Sequence, residues 1–417
     1  MSDAGVGAHK LHAALTALQA GQAALAQREA MAALEAFTTL NDRTGAAAAH
    51  QVLAIVAVGE GRIDDACAHV DSAIPLREST GDWEGVSSLW QERMELCLRK
   101  GDVSGAKASA ERQVEASSRT SDKEGRAHAL HQLAQLLLQT GDDGRAEAMV
   151  NDAIWQLDGA EFARARSAMH LLYANIWLSR GDTDRALGQA RTGLEQARVA
   201  KNRAAEVEAI QQCGVIHAAA GEYAGAQKAL NEALVGRELM KDGEGKAQVL
   251  KELGGVELAR GDVTAALGHF GYAARCLREA GNFVGEVTML QLLQSSAEAN
   301  EQEDVASQAA RDIIEAVRKT GDREAEAGAH FALATRLAGQ ADLEGAIKHF
   351  TVATEIQEVL GLPHEAAVSR GMMGQVLVAA GRKEEGLVAL KASLERLDAL
   401  GSEAAAVVRE VLAEVSQ

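Results

Sequence analysis

The sequence predicts an all-α solenoid of helical hairpins, and three observations carry that prediction. An alanine column recurs every 40 residues at Ala26, Ala66, Ala106, Ala146, Ala186, Ala226, Ala266, Ala306 and Ala346, and Gly386 closes it. A glycine column runs beside it at Gly21, Gly61, Gly101, Gly141, Gly181, Gly221, Gly261 and Gly381, lapsing at Glu301 and Ala341. Between these marks the apolar residues fall three and four apart, the spacing of one helix face. A fixed period of about 20–50 residues marks stacked supersecondary units that bury their apolar faces only against one another.

Each element has a local reason. In 201–240, Val207, Ile210, Cys213, Gly214 and His217 share a face and predict helix A near 203–219. Tyr223, Ala226, Leu230, Ala233 and Leu234 predict helix B near 223–238. Each helix is about 25 Å long at 1.5 Å per residue. Glycine after helix A can take the left-handed conformation that ends a helix. The acidic residue that follows (Asp102, Asp142, Asp182, Glu222, Asp262) suits the free N–H groups and positive dipole end of helix B. The turn between repeats uses the same device at Gly81-Asp82, Lys241-Asp242, Gly281-Asn282 and Gly321-Asp322. Three residues past those caps comes a small residue (Gly45, Gly85, Gly125, Ala165, Ala205, Gly245, Gly285, Ala325), which predicts close approach to the preceding hairpin.

The predicted organisation is one array of ten repeats, 1–40, 41–80, 81–120, 121–160, 161–200, 201–240, 241–280, 281–320, 321–360 and 361–400. A capping helix over 401–417 follows, with Val407, Val408, Val411, Leu412 and Val415 on one face. The first helix packs through Leu11, Leu15 and Leu18. No linker or composition shift suggests a further domain.

Composition agrees. Hydrophobic residues are 47% and aromatics only 3%, so alanine, the best helix former, builds the core. Two prolines in 417 residues leave little to break helices. The net charge of −18 disfavours a nucleic-acid partner, mildly favours a basic one and serves solubility. Cys67, Cys97, Cys213 and Cys276 form no C-x-x-C, which fits packing thiols in a reducing, cytoplasmic setting. No signal peptide and no membrane span are expected.

The search for catalysis returns little. His128 and His131 lie three apart and could share a metal face, but no third ligand accompanies them, so a hydrogen-bonded groove pair is the better account. Asp242-Gly243-Glu244-Gly245-Lys246 follows a helix and precedes Ala247, unlike a phosphate loop. Paired carboxylates such as Asp64-Asp65 and Asp142-Asp143 fall at starts of helix B, where capping explains them. No activated nucleophile stands out, so no enzyme, cofactor or metal is expected.

These positions resemble the tetratricopeptide repeat (TPR) family. Repeat six carries Cys213-Gly214, His217, Gly221, Ala226, Leu230 and Ala233. Repeat seven carries Leu253-Gly254, Gly261, Ala266, Phe270 and Ala273, and Trp90 fills the aromatic slot of repeat three. The family's usual repeat is about 34 residues. The family's usual proline near the end of helix B is missing, and the 40-residue period with Gly-Asp between repeats resembles the long-repeat branch, which includes spindle-orientation adaptors, kinesin light chains and bacterial peptide-pheromone receptors. Arg93 in an apolar slot and Gln113 in an alanine slot suggest a looser or specialised repeat three. Gln294 and Asn300-Glu301 suggest an irregular repeat eight.

The resemblance implies a right-handed superhelix whose concave wall is made by helix A and binds a peptide. Carried onto this chain, one wall column is Gln51, Gln91, His131, Leu171, Gln211, Lys251, Gln291 and Phe331. A second is Ile55, Glu95, Gln135, Asn175, Val215, Gly255, Ser295, Thr335 and Gln375. Amides donate and accept, so such a ladder can read a peptide backbone. The family's carboxylate clamp is missing: Leu171 takes a lysine place, and Gln248 and Glu252 take the basic slots. The expected function is a non-enzymatic scaffold or adaptor binding a peptide or protein segment. The alternatives are a peptide-sensing regulator acting through a partner and a self-assembling structural subunit.

Overall fold

The computed structural model describes residues 3–415, so the outermost two residues at each end of the expected first repeat and capping helix lie outside them. Among the described residues every regular element is helical. The order is α1 (Asp3–Gln19), α2 (Ala23–Thr39), α3 (Arg43–Gly59), α4 (Ile63–Thr80), α5 (Trp83–Arg99), α6 (Val103–Ser117), α7 (Lys123–Gln139), α8 (Asp143–Gln156), a 3₁₀ turn (Ala160–Phe162), α9 (Ala163–Ser179) and α10 (Thr183–Val199). It continues with α11 (Arg203–Ala219), α12 (Tyr223–Leu239), α13 (Gly243–Arg260), α14 (Val263–Glu279), α15 (Phe283–Ala299), α16 (Glu303–Thr320), α17 (Arg323–Gly339), α18 (Leu343–Val359), α19 (Pro363–Ala379), α20 (Lys383–Ala399) and α21 (Ala404–Val415). The described chain divides into two compact units, parted between Ala220 and Gly221, inside the sixth repeat. Within each unit, neighbouring helices pack as antiparallel pairs stacked on the next pair.

The alanine column is the seam of both units: Ala26 through Ala346 are fully buried. Larger side chains meet where that seam leaves room. Phe270 of α14 fills the space that Gly254 leaves open on α13, and Leu390 of α20 does so against Gly374 of α19.

The turns follow the capping argument. Ten aspartates and two asparagines, Asp42 to Asp342, accept the N–H three residues on at 2.8–3.4 Å. Glu222 makes no such bond, because its side chain is one methylene longer than the capping geometry takes. The small residue past the cap has two roles. A Cβ at Gly45 would enter the ring of Phe37 on α2, and one at Gly85 would meet Arg77 on α4; at Gly125 only the capping carboxylate of Asp122 is near.

Repeat eight is regular, contrary to expectation. Glu301 takes the left-handed position at φ 57° without glycine, and α15 and α16 keep full length. The irregularity sits in repeat four. There α8 has 14 residues instead of the usual 17, Gly159 stands at φ 118°, and α9 begins without a side-chain cap. Glu161-Phe162 stands where most other repeats carry a capping Asp or Asn, and the uncapped entry folds as the 3₁₀ turn Ala160–Phe162; Leu362, also without a capping side chain, is followed by Pro363, which is preset for the first turn of α19.

At the ends, Leu15 is exposed and the seam of α1 is carried by Ala14 and Ala17 beside half-buried Leu11 and Leu18. On α21, Ala405 and Val408 are buried against α19 and α20, whereas Val407 turns to solvent. Four-residue spacing selects Val408 and Leu412; Val407 lies 100° around the helix from Val408.

Candidate protein-binding groove

In the first unit three successive first helices, α7, α9 and α11, share a cavity of about 600 Å³. Local signals place them. Asp122 accepts the Gly125 N–H at 2.9 Å and opens α7, and Asn202 accepts the Ala205 N–H at 3.1 Å and opens α11. The floor is apolar and small, with Ala127, Ala165, Ala168, Ala204 and Ala205 beside Met169 and Leu171. His128, His131, Gln132, Gln135 and Asn202 supply hydrogen-bonding groups, and Glu124, Arg164 and Glu208 supply charge.

His131 is the most constrained of these. Its Nδ1 is buried without a hydrogen-bond partner. Burial, and after it the neighbouring His128, pushes its pKa down to about 4, so the ring is neutral at pH 7. A buried polar atom left unpaired carries its desolvation cost, which a bound amide or hydroxyl would relieve. Beside it, Gln113 of α6 donates from Nε2 to Gln132 Oε1 at 3.1 Å. Gln113 is itself buried. The polar residue in the alanine slot of repeat three therefore braces the wall of repeat four. Arg93, the other departure, donates to Asp71 at 2.9 Å and to Cys97 Sγ at 2.8 Å.

The expected wall residues divide in their surroundings. His131, Gln135 and Leu171 line the cavity together. Asn175 is exposed and accepts from Gln212. Gln211 is half-buried. Gln51 donates to Glu92 at 3.2 Å and accepts from Arg77 at 2.6 Å, so both ends of its amide are engaged. Gln91 donates to Glu95 at 3.1 Å on the same helix. Burial, helped by the neighbouring Glu95 and opposed by the hydrogen bond from Gln51, raises the pKa of Glu92 from its ordinary value. In the second unit, Lys251 pairs with Glu252 at 3.6 Å, and Gln291 is exposed. Ser295 and Thr335 bond back to the carbonyls of Leu292 and Phe331 at 3.1 and 3.0 Å, and Gln375 is half-buried.

Sequence reasoning missed the columns one and two turns earlier on helix A. These are Ala168 and Glu208, beside the His128 already expected in the groove, and Glu124, Arg164 and Ala204. Their 40-residue spacing was the available signal.

Among the described residues no group of three or more His, Cys, Asp or Glu side chains is placed to hold a metal. No described helix is long and apolar enough to cross a membrane. All four cysteines are buried free thiols. Lys246, of the loop-like run, donates to the Tyr272 hydroxyl at 2.5 Å and pairs with Glu238 at 3.2 Å, while Asp242 caps α13.

No protein-family model and no curated protein matches the chain. Solved structures do. Aspartyl phosphate phosphatase F from Bacillus subtilis is 10% identical with a TM-score of 0.50, over 86% of this chain and 95% of that one. A signal transduction ATPase with a tetratricopeptide repeat sensor, from Pyrococcus horikoshii, is 14% identical with a TM-score of 0.47, over 84% of this chain and 54% of that one. In fold, the chain is a TPR-type repeat protein. A Rap protein complexed with competence and sporulation factor covers 99% of this chain and 98% of its own, at 14% identity and a TM-score of 0.42. At these identities the likeness speaks for the fold alone. What a TPR-type protein binds is set by the side chains on its walls.

Proposed function

We propose that this TPR-type chain is a non-enzymatic interaction scaffold that holds a peptide or protein segment against its helix A wall, with the cavity between α7, α9 and α11 as the anchor. The observation that carries this reading is the cavity itself: an apolar floor rimmed by amides, with the unpaired Nδ1 of His131 inside. A few placed polar groups over an apolar floor are what a binding pocket needs to fix orientation. A preformed wall of helices leaves the ordering cost to the ligand segment. The remaining wall positions of the first unit, Gln51, Gln91, Glu95, Asn175 and Gln211, would extend the contact along its helices, and Lys251, Gln291, Ser295, Thr335 and Gln375 would form the corresponding wall of the second unit. The acidic surface favours a segment with basic residues.

Selection from a displayed library of random peptides tests this. Wild type is compared with a variant carrying His131→Ala, Gln135→Ala and Asn202→Ser, the serine keeping a helix cap. Peptides enriched on wild type should lose at least about tenfold in affinity on the variant, which is about 1.4 kcal/mol. Equal binding to both proteins removes the wall from the account.

A further inference from the structure

The irregularity of repeat four opens a second cavity, of about 950 Å³, on the other side of α7 and α9. It shares no residue with the groove. Because α8 ends early at Gln156, the space between that end, the turn before α7, and helices α9 and α10 stays unfilled. Three cationic side chains line it: Lys123 and Arg126 of α7, and Arg166 of α9. In a chain of net charge −18 this is an unusual gathering.

Their partners do not satisfy them. Arg126 reaches Asp152 at 3.3 Å through Nη2, but its Nε is buried without a partner. The Nε of Arg166 is likewise buried and unpaired, and so is Oε1 of Gln196 at the same cavity. Among the described residues neither Lys123 nor Arg166 has an ion pair. Lys123 Nζ lies 5.6 Å from the Phe162 ring centroid. Of the two acids on the lining, Asp122 is engaged in capping α7, which leaves Asp158. At the mouth stands Trp155, 83% exposed. A large apolar ring held in water beside guanidinium groups whose Nε atoms have no partner is a costly arrangement that a ligand with a flat face and an anionic group would relieve.

We propose that this cavity binds a small phosphate-bearing ligand with a planar aromatic ring, of nucleotide size. Arg126, Arg166 and Lys123 hold the phosphate, and Trp155 stacks on the ring. Guanidinium forks match phosphate oxygens in geometry and charge. Aromatic side chains stack on nucleobases whatever their identity. The volume is that of a small-molecule site. His170 Nδ1 donates to Gln189 Oε1 at 2.8 Å, which turns the other ring nitrogen into a further polar group on the lining.

Titration calorimetry on the full chain tests the assignment with AMP, ATP, adenosine, inorganic phosphate and a phosphotyrosine peptide. The expected result is that AMP or ATP binds at least about tenfold tighter than adenosine or phosphate alone. Arg166→Gln should weaken the nucleotide at least about tenfold. Trp155→Ala, at an exposed position that cannot unsettle the fold, should weaken the nucleotide similarly and leave phosphate unchanged. His131→Ala, in the groove, should leave the nucleotide untouched. The proposal is overturned if no nucleotide binds at millimolar concentration, if Arg166→Gln and Trp155→Ala bind as wild type does, or if the phosphotyrosine peptide binds tighter than every nucleotide. Circular dichroism melts of each variant separate lost binding from lost folding.

Discussion

A methyl group has opposite effects at two positions of this chain. At Gly254, inside α13, a Cβ would collide with the buried ring of Phe270. Gly254→Ala therefore has to move a packed aromatic ring, at about 1–3 kcal/mol, despite alanine's better helix propensity. Ala341 has its methyl in a left-handed turn at φ 62°. That conformation costs a non-glycine residue about 1–2 kcal/mol. Ala341→Gly, which restores the residue found in most of the column, should stabilise by about 1 kcal/mol. Denaturant titration of both variants checks the pair, and a Gly254→Ala protein as stable as wild type would contradict the packing account. The same logic reaches Gln294. Its register partner on the next helix is Ala310, where repeat seven has Phe270, so a larger residue is accommodated where a smaller one faces it.

Between elements, polar clamps recur across the turns that join hairpins. Arg198–Glu206, Arg278–Glu286 and Arg318–Glu326 are each eight residues apart, at 3.1, 2.5 and 2.9 Å. Glu286 and Glu326 are buried carboxylates reached by exposed arginines, so these two clamps join the end of one hairpin to the start of the next at the edge of the packed layer. A second device pairs the two helices of a hairpin. His50 meets His69 and His330 meets His349 through Nδ1 at 3.2 and 2.8 Å. Burial first, and His349 after it, pushes the pKa of His330 down to about 4 from an ordinary 6.5. His349, His50 and His69 are lowered too, mainly by burial. The unfolded chain takes up the His330 proton near pH 6.5 and the folded chain only near 4, and the other three shift in the same direction. Between those values the unfolded state holds more protons, so stability falls as the pH drops through that window. Most other repeats carry an apolar residue at the His330 position, among them Leu130, Ile210, Leu250 and Leu290. The double variant His330→Leu, His349→Ala should hold its neutral-pH stability within about 1 kcal/mol, as a well-packed apolar replacement does. Its melting temperature should fall less steeply from pH 6.5 to 4 than that of wild type. An unchanged slope would remove this pair as a source of acid sensitivity.

Over the whole molecule the stabilising contacts are short in range. Ion pairs such as Arg145–Glu111 and Arg180–Glu147 join consecutive repeats 33 or 34 residues apart. They are partly exposed, so each contributes at most about 1 kcal/mol, and added salt should change stability little. In such a chain each repeat contacts its neighbours and damage stays local. Val408→Asp puts a charge where α21 seals α19 and α20. Amide exchange should show protection lost over α19–α21 and kept over α1–α4. Uniform loss along the chain would mean that the array unfolds as one cooperative block.

The sequence by itself determined the helices and their ends. The alanine column, the left-handed glycines and the capping aspartates act within a few residues, so 203–219 and 223–238 are legible without a tertiary structure, to within one residue of α11 and α12. Part of the candidate groove was legible through the TPR resemblance, which implies the helix A face on which His131, Gln135 and Leu171 stand. Which amides remain open to a ligand was not legible. Gln51 and Gln91 look alike in the column, yet Arg77 and Glu92 engage the first and Glu95 the second. Those partners come from side-chain reach, in one case from neighbouring helices and in the other from the next turn. The shortened α8 and the cavity it leaves were likewise decided by tertiary structure. Losing one cap is a local event, but the space that opens depends on how α7, α9 and α10 close around it, and that is settled by packing between segments distant in the chain.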